Sequence, residues 1–352
     1  MTHPYKSLPR KSFWKTGVAQ PGPHGISDLY QPRFKIDRDT AIMTAGSCFA
    51  RNIARALKAR GCRWLETETA PPGLSPASAA RLGYGLFSCR TGNIYSAAAL
   101  RQWIDWAFGT APPATETWID DKTERAYDPF RPEIEPGGFE DAHEVTRLRA
   151  VTLQALKQAV SKADVFIFTL GLTEAWHNTT TGHVYPACPG TVAGRFDADH
   201  HRMINADYPS VHADMMSVVK TLTGVNPKLQ IVLTVSPIPL TATAEPDAHV
   251  LAATTYSKSV LRAVAGALAQ SQPNVSYFPS YEVFSAPVFR GMFFDPTLSK
   301  AEPAGVNFAM AMFFGAHGFT DGPVAEVGTK ADPQMPSEAK CPDYILEYYA
   351  PK

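Results

Sequence analysis

A serine and a cysteine stand where an apolar strand pattern changes into a helical pattern. Residues 40–45 are typical of a short buried strand, and from Phe49 onward apolar residues recur at helical spacing until Gly61 provides a stop. A serine at such a turn projects its hydroxyl from the sheet edge, beside the free N–H groups and positive dipole end of a helix. Those features suit a nucleophile and an oxyanion hole, so Ser47 is the candidate nucleophile. The alternative is that Ser47 simply caps the helix.

Two later apolar segments end in the same way. The run over residues 164–170 breaks at Gly171, and the β-branched run over residues 229–235 ends at Ser236. In open α/β sheets, ligands bind outside the carboxyl ends of the strands. We therefore expect these breaks to lie at the same edge of the sheet as Ser47. Thr173 and Glu174 follow the first break and are candidate substrate-binding residues.

A nucleophilic serine needs a base, and the chain has ten histidines. His249 is the preferred candidate because it follows the strand that ends at Ser236, so the chain can bring it to the same edge. His177 is the second candidate, since it lies just beyond residues 169–176. Either histidine can instead have a structural role.

Other residues near these breaks have two interpretations each. Cys48 is either a thiol nucleophile activated by the helix terminus or a small buried residue. Glu174 either orients a histidine or pairs with Arg262 or a backbone donor. A last group follows the third strand and either belongs to the site or caps and solvates a helix: Ser236, Ser257, Lys258 and Arg262.

Composition excludes several function classes. The 352 residues are 45% apolar and carry a formal net charge of zero, which argues against a nucleic-acid-binding surface or a basic membrane patch. No apolar run approaches the roughly 20 residues of a membrane span, and the N-terminus has no signal-peptide core, so we expect a cytoplasmic location. The five cysteines are odd in number and lack CxxC spacing, so we expect neither a disulfide framework nor a metal site.

Apolar strands alternate with amphipathic helices along the chain, a pattern that predicts an α/β fold around a mostly parallel sheet. One such helix carries Leu100, Trp103, Ile104 and Ala107 at helical spacing, and residues 274–284 are predicted to form a late strand. We expect an N-terminal arm over residues 1–38, a domain over 39–319 and a surface tail over 320–352. The predicted anchors of the arm and tail are aromatic, proline or aliphatic residues: Tyr5, Pro9, Phe13, Trp14, Tyr344, Ile345 and Tyr348.

Several segments resemble the GSCFA domain family, which belongs to the SGNH/GDSL hydrolase-like superfamily. They occur in family order over nearly the whole chain and include "TAGSCFA", "GNIYS", "TLGLTEAW", "VYPACPG", "TVSPIPLTATA" and "HVLAATTYSKSVLRAVAG". The resemblance implies a flavodoxin-like, three-layer α/β/α fold. It also implies that Ser47 attacks an ester carbonyl and that its own N–H joins the oxyanion hole.

The same resemblance assigns further site residues. Gly92, with Asn93 beside it, is the best match to the second oxyanion donor, and Gly85 is the next. Gly171 matches the glycine of the third superfamily block, but that block's asparagine is missing, so Thr173 or Glu174 would line its place.

The superfamily also places an aspartate and a histidine three residues apart late in the chain. Here Asp295 is followed by Leu298, and the next histidine is His317. Two hypotheses remain. One is a serine-dependent ester hydrolase or O-acyltransferase without a cofactor, which acts on an acylated small molecule or glycan through an acyl-Ser47 intermediate. The other is a non-catalytic binding or scaffold protein that lost this late pair. The acyl group and the oligomeric state stay open.

Overall fold

A parallel four-stranded sheet runs through the middle of the protein, whose computed structural model describes residues 3–319 and 342–350. The strands, in chain order, are β1 (Ile42–Gly46), β2 (Trp118–Ile119), β3 (Ala126–Tyr127), β4 (Val165–Leu170), β5 (Glu174–Asn178), β6 (Val184–Tyr185), β7 (His201–Asn205), β8 (Gln230–Val235) and β9 (Val275–Tyr277). The α-helices are α1 (Gly22–Gly25), α2 (Ala50–Ala59), α3 (Pro76–Arg81), α4 (Ala97–Phe108), α5 (Ala142–Lys162), α6 (Tyr208–Val225), α7 (Val250–Ser271), α8 (Ser280–Ser285) and α9 (Pro303–His317).

The central sheet has the strand order β1-β4-β8-β9, with every neighbouring pair parallel. Gly46 of β1 lies opposite Thr169, and Leu170 of β4 lies opposite Val235 of β8. The strands therefore end at the same level, so that Ser47, Gly171 and Ser236 all leave one edge. Beyond this edge the chain forms a small antiparallel sheet of order β6-β5-β7.

Helices cover both faces of the central sheet. Phe166 and Phe168 of β4 belong to one apolar core, which α4, α5, α6 and α7 complete. The alternate residues Val165 and Ile167 belong to a second core with α2 and α9. A strand buried on both faces needs apolar side chains at every position, and β4 has them at all but Thr169. The predicted α/β fold is confirmed as a three-layer α/β/α arrangement.

The predicted helix after Ser47 is confirmed as α2, which buries Ile53 and Leu57. The helix predicted from Trp103 is α4, whose Trp103 is 2% exposed. The expected strand over residues 274–284 is only partly correct. β9 ends at Tyr277 and α8 begins at Ser280, because Pro279 lacks the N–H that a continuing strand needs.

The N-terminal arm packs on the domain, but through other residues than predicted. Trp14 is 68% exposed and Tyr5 is 66% exposed, because residues 4–19 form short turns whose bonds are mainly local. The anchor is Tyr30, whose ring packs 5.1 Å from that of Phe278. Ile36 is also buried in the core formed by α2 and α9.

Residues 320–341 of the C-terminal tail lie outside the described residues, and so do the side chains of the predicted anchors Tyr344 and Ile345. A 3₁₀-helix spans Pro342–Tyr349, and its Tyr348 side chain is 85% exposed, so the anchoring role predicted for Tyr348 is wrong. Within residues 3–319 and 342–350, none of the helices combines the length and the apolar character that crossing a bilayer requires.

Candidate functional site

The turn that carries Ser47 depends on a close approach of two backbones. Gly46 has φ +134°, and a Cβ atom there would lie 2.5 Å from the Thr169 carbonyl oxygen of β4. Only glycine fits such a position. The Ser47 N–H then donates to the Thr169 carbonyl at 3.0 Å, which fixes the serine just beyond the sheet. Because this N–H already donates to Thr169, it is not available in this arrangement as the expected oxyanion-hole donor.

The Ser47 hydroxyl is buried and has no hydrogen-bond partner among the described residues. The side chain is 2% exposed, so the prediction of an open hydroxyl is wrong. The capping interpretation is wrong as well. The N-cap of α2 is Phe49, no side chain caps that helix, and Ser47 contributes only its carbonyl, which accepts from the Ala50 N–H at 2.9 Å. A buried hydroxyl without a hydrogen-bond partner costs about 1–3 kcal/mol.

Two side chains converge on Gly171 at the end of β4. A Cβ atom at Gly171 would lie 3.1 Å from the Cβ of Ser47. The Lys258 side-chain nitrogen also donates to the Gly171 carbonyl at 2.7 Å. Lys258 belongs to α7 and is 1% exposed. The glycine therefore holds the serine and a buried lysine close to each other.

Helix α7 is fastened to the same loop by a second bond. The Thr173 N–H donates to the Ser257 hydroxyl at 3.0 Å, and both residues are buried. Ser257 and Lys258 therefore belong to this site and do not solvate their helix, which was the alternative. Lys258 occupies a position of the apolar stripe that continues with Leu261 and Ala265, so a charged residue within that stripe was the signal in the sequence.

His249 lies at the beginning of α7 and is exposed. Its Nδ1 accepts the Leu251 N–H at 3.1 Å, which is the geometry of an N-cap. Among the described residues, no hydrogen bond joins it to Ser47. His177 lies half-buried on β5, where burial lowers its pKa. Neither histidine thus has a described hydrogen bond to the serine.

Asp295 and His317, which the sequence analysis compared with the late aspartate–histidine pair, make hydrogen bonds to the backbone. Asp295 accepts the N–H groups of Ser299 and Lys300 and so closes a turn. His317 is 5% exposed, and its Nδ1 accepts the Ile36 N–H at 3.2 Å. In the described parts of the chain, no group of three or more His, Cys, Asp or Glu side chains is arranged to hold a metal ion.

The other predicted donors are also engaged. The N–H groups of Gly171 and Leu172 both donate to the Tyr95 carbonyl, at 2.9 and 3.0 Å. The Thr173 hydroxyl donates to the Asn205 side chain at 2.7 Å. The structure therefore brings residues 171–173 next to Ser47, but in a closed arrangement in which their donors bind protein acceptors.

Gly92 and Asn93 lie on a loop that reaches the Ser47 turn, because the neighbouring Ile94 N–H donates to the Gly46 carbonyl at 2.9 Å. Gly92 has φ +68°, and the Asn93 side chain accepts from Arg51 at 3.0 Å. Both line a cavity of about 60 Å³, which Pro186 also lines.

Glu174 lies on the other side of the site, in a larger pocket of about 670 Å³. It accepts the Thr243 hydroxyl at 2.7 Å and the Ala244 N–H at 3.4 Å, and burial raises its pKa. Its predicted partner Arg262 binds Glu282 instead, at 2.5 Å. Pro186 lines this pocket too, so the two cavities are neighbours.

Comparison with known proteins gives one result at the level of the family. Comparison with curated proteins and with solved structures finds no match. The family model described as "GSCFA family" matches residues 41–313, which include β1, the Ser47 turn and every strand of the central sheet. This match covers more than half of the chain. The chain therefore belongs to the GSCFA family.

Proposed function

We propose that the protein is an SGNH-type ester hydrolase or O-acyltransferase in which Ser47 is the nucleophile. The observation that carries this proposal is the buried, unpartnered Ser47 hydroxyl beside Gly171, whose carbonyl holds the Lys258 amine. Folding gains nothing from that oxygen, whereas a nucleophile requires it. The position of Ser47 after the first strand of a parallel sheet further supports the superfamily assignment.

Lys258 replaces His249 as the proposed base. Burial away from water favours the neutral amine of a lysine over its ammonium form, and a neutral amine can accept a proton. In the proposed step, the Lys258 amine takes the Ser47 hydroxyl proton while Oγ bonds to the acyl carbon. The bond from that carbon to the leaving alcohol then breaks, and the alcohol receives the proton. Water or a second alcohol releases the acyl group from Ser47 by the same route.

A substrate carbonyl must first reach the covered hydroxyl. The Gly171 backbone lies beside Ser47, and the loop that contains Tyr95 packs against it. These two segments bind each other through the Tyr95 carbonyl. Displacement of that contact would open Ser47 and would also free the N–H groups of Gly171 and Leu172 to bind an oxyanion. The substrate is an acylated small molecule or glycan.

The test combines a fluorophosphonate probe with turnover of p-nitrophenyl esters. We expect wild-type protein to be labelled and Ser47→Ala to lose both labelling and turnover. Ser236→Ala is the matched control, because Ser236 is also a buried serine that follows a central strand, and its hydroxyl accepts from the Ile238 N–H. Labelling that persists in Ser47→Ala would overturn the assignment.

The base is tested separately with Lys258→Met, which keeps the length and removes the amine. We expect a loss of turnover of about 100-fold or more, as for other general bases. His249→Ala should leave turnover unchanged. If His249→Ala abolishes turnover and Lys258→Met does not, the assignment of the base is wrong. A thiol-directed probe in parallel tests Cys48, which is half-buried and thus more accessible than Ser47.

The burial of Ser47 also favours a second candidate function, a binding or scaffold protein. In that case the closed contacts of Gly171 and Leu172 with Tyr95 are permanent. Absence of both probe labelling and ester turnover, together with ligand binding in the 670 Å³ pocket, would support this candidate over the enzyme.

A further inference from the structure

A large pocket lies between the small antiparallel sheet and three chain segments. Its walls come from residues 172–176, 186–196 and 240–244, and from the 3₁₀-helix near the C-terminus. The volume of about 670 Å³ falls within the roughly 300–1,000 Å³ typical of small-molecule sites. Leu172 lines this pocket and directly follows Gly171, so the pocket adjoins the loop that contacts Ser47.

The lining is largely apolar. Trp176 and Phe196 pack edge to face, with ring centroids 5.6 Å apart. Phe196 remains 45% exposed, and the buried Leu240 contributes from the opposite segment. Leu346 and Tyr349 of the 3₁₀-helix add a further wall. Together these side chains form contiguous apolar surface, which is typical of a ligand-binding groove.

Several polar groups of the lining are bonded within the protein, whereas Arg195, which also lines the pocket, is exposed. Both oxygens of Glu174 accept bonds, from Thr243 and from the Ala244 backbone. The Thr191 hydroxyl donates to the Cys188 carbonyl at 2.6 Å, and the Cys188 thiol donates to the Pro189 carbonyl. Such groups offer little to a polar ligand, because a ligand would have to replace bonds that already exist.

The same bonds hold the pocket in shape without a ligand. The Glu174–Thr243 bond ties β5 to the 240–244 segment, and the Gly190 N–H donates to the Ala193 carbonyl across the turn of the 186–196 segment. A pre-formed apolar cavity binds without a large ordering cost.

We propose that this pocket binds the hydrocarbon chain of an acyl group, so that the substrates are medium-chain acyl esters and not acetyl esters. The inference names the substrate class for the proposed Ser47 chemistry. Turnover of such esters rests on that proposed function, whereas binding of the hydrocarbon chain depends on the pocket alone. Each methylene that enters the pocket should raise the affinity by about fourfold.

The experiment uses the full chain with Ser47→Ala, so that no acyl transfer takes place. Butanoate, hexanoate, octanoate and decanoate are titrated, and Trp176 provides a fluorescence signal next to the bound chain. We expect the affinity to rise by roughly an order of magnitude or more with every two carbons until the pocket is filled. An affinity that does not depend on chain length would overturn the proposal.

Two variants locate the site. Ala187→Trp fills the pocket and should remove decanoate binding while the protein keeps its cooperative thermal unfolding. Phe196→Ala removes part of a wall and should weaken decanoate binding about tenfold. Leu251→Ala is the control, because Leu251 is a 68%-exposed apolar residue that does not line the pocket. Equal decanoate affinity in Ala187→Trp and in the Leu251→Ala control would mean that decanoate binds outside this pocket, and would refute the inference.

The two proposals fail separately. If fluorophosphonate does not label the wild-type protein but carboxylate affinity still rises with chain length, Ser47 is not the nucleophile and the pocket assignment stands. Labelling of Ser47, with equal kcat/KM for p-nitrophenyl acetate and octanoate, would refute the pocket assignment and leave the nucleophile.

Discussion

The Ser47 hydroxyl is the residue-scale feature with the clearest energetic consequence. Because the oxygen is buried and has no described partner, its removal eliminates a desolvation cost and no described bond. We therefore predict that Ser47→Ala keeps or raises the free energy of unfolding, by up to about 1 kcal/mol in urea titrations. Ser280→Ala is the matched comparison. The Ser280 hydroxyl is also buried, but it bonds to Thr234 and to the Val235 carbonyl, so its loss should cost about 1–2 kcal/mol. Equal losses in both variants would mean that Ser47 has a bond after all.

We predict that His317 makes the free energy of unfolding depend on pH. Burial, with a smaller contribution from Lys35, lowers the pKa of His317 from 6.5 to about 4. Its Nδ1 accepts from Ile36, and the rings of Tyr30 and Phe313 pack around it, so no described neighbour stabilises a second ring proton. The unfolded chain binds that proton below pH 6.5 and the folded chain does not. Stability is therefore complete above pH 6.5 and falls as the pH decreases towards 4, by up to about 3 kcal/mol.

The measurement for His317 is the free energy of unfolding in urea at pH 7, 5.5 and 4.5. His317→Gln keeps an acceptor for the Ile36 N–H and should flatten this part of the pH profile. His212→Gln is the control and should leave the profile unchanged, because His212 is only half-buried and its ring stacks on that of Tyr208. An equally steep profile in His317→Gln would contradict the assignment.

The site could be predicted from the sequence only where a local pattern marks it. The position of Ser47 followed from a strand that turns into a helix, and Gly171 followed from the break in an apolar run. Lys258 was named as a residue that could belong to the site but not as the base, because it lies 211 residues from Ser47, and only the packing of α7 on the end of β4 brings them together. The covered state of Ser47 had no local signal either, since tertiary contacts decide it.

At the scale of secondary-structure elements, β1 and β4 approach each other most closely at Gly46. A side chain there would meet the Thr169 backbone of β4 at 2.5 Å and would also take an unfavourable φ of +134°. We predict that Gly46→Ala destabilises the protein by several kcal/mol and disturbs the Ser47 turn. Gly61→Ala is the control, since Gly61 has φ +66° with open space around it and should cost only about 1 kcal/mol. Thermal unfolding of both variants measures the difference in stability. Equal losses of stability would mean that the positive φ, and not the contact with Thr169, causes the effect of Gly46→Ala.

Long periodic elements were the predictable part of the fold. α2 and α4 have apolar residues at helical spacing, and β4 has an unbroken apolar run, so local pattern and tertiary burial agree. The short elements were not predictable. The turns over residues 4–19 leave Trp14 exposed although tryptophan is usually an anchor, and the segment after β9 is divided by Pro279. Local hydrogen bonds outweigh the side-chain pattern in residues 4–19, and the missing N–H of Pro279 does so after β9.

At the scale of the whole molecule, a buried ion cluster joins the loop after β3 to helix α5. The Asp128 carboxylate binds Arg131 and Arg149, and all three side chains are at most 1% exposed. Although burial opposes the charged form, the two guanidinium groups hold the pKa of Asp128 below its usual value. We predict that Asp128→Asn lowers the free energy of unfolding by about 3–5 kcal/mol, because two buried cations lose their counter-charge.

Urea unfolding followed by circular dichroism measures this loss. Asp120→Asn is the matched control, because the Asp120 carboxylate accepts bonds within an exposed turn and should cost about 1 kcal/mol or less. A small effect in Asp128→Asn would show that the cluster is replaceable.

The wall formed by Leu346 and Tyr349 stands apart in sequence from the rest of the pocket. The family model matches residues 41–313, and the other walls of the pocket all lie within that range. A chain that is cut after residue 319 retains the whole central sheet and the Ser47 turn, but its pocket is open on one side. Proteolysis there would weaken the binding of a ligand in the pocket and would leave Ser47 and Lys258 in place.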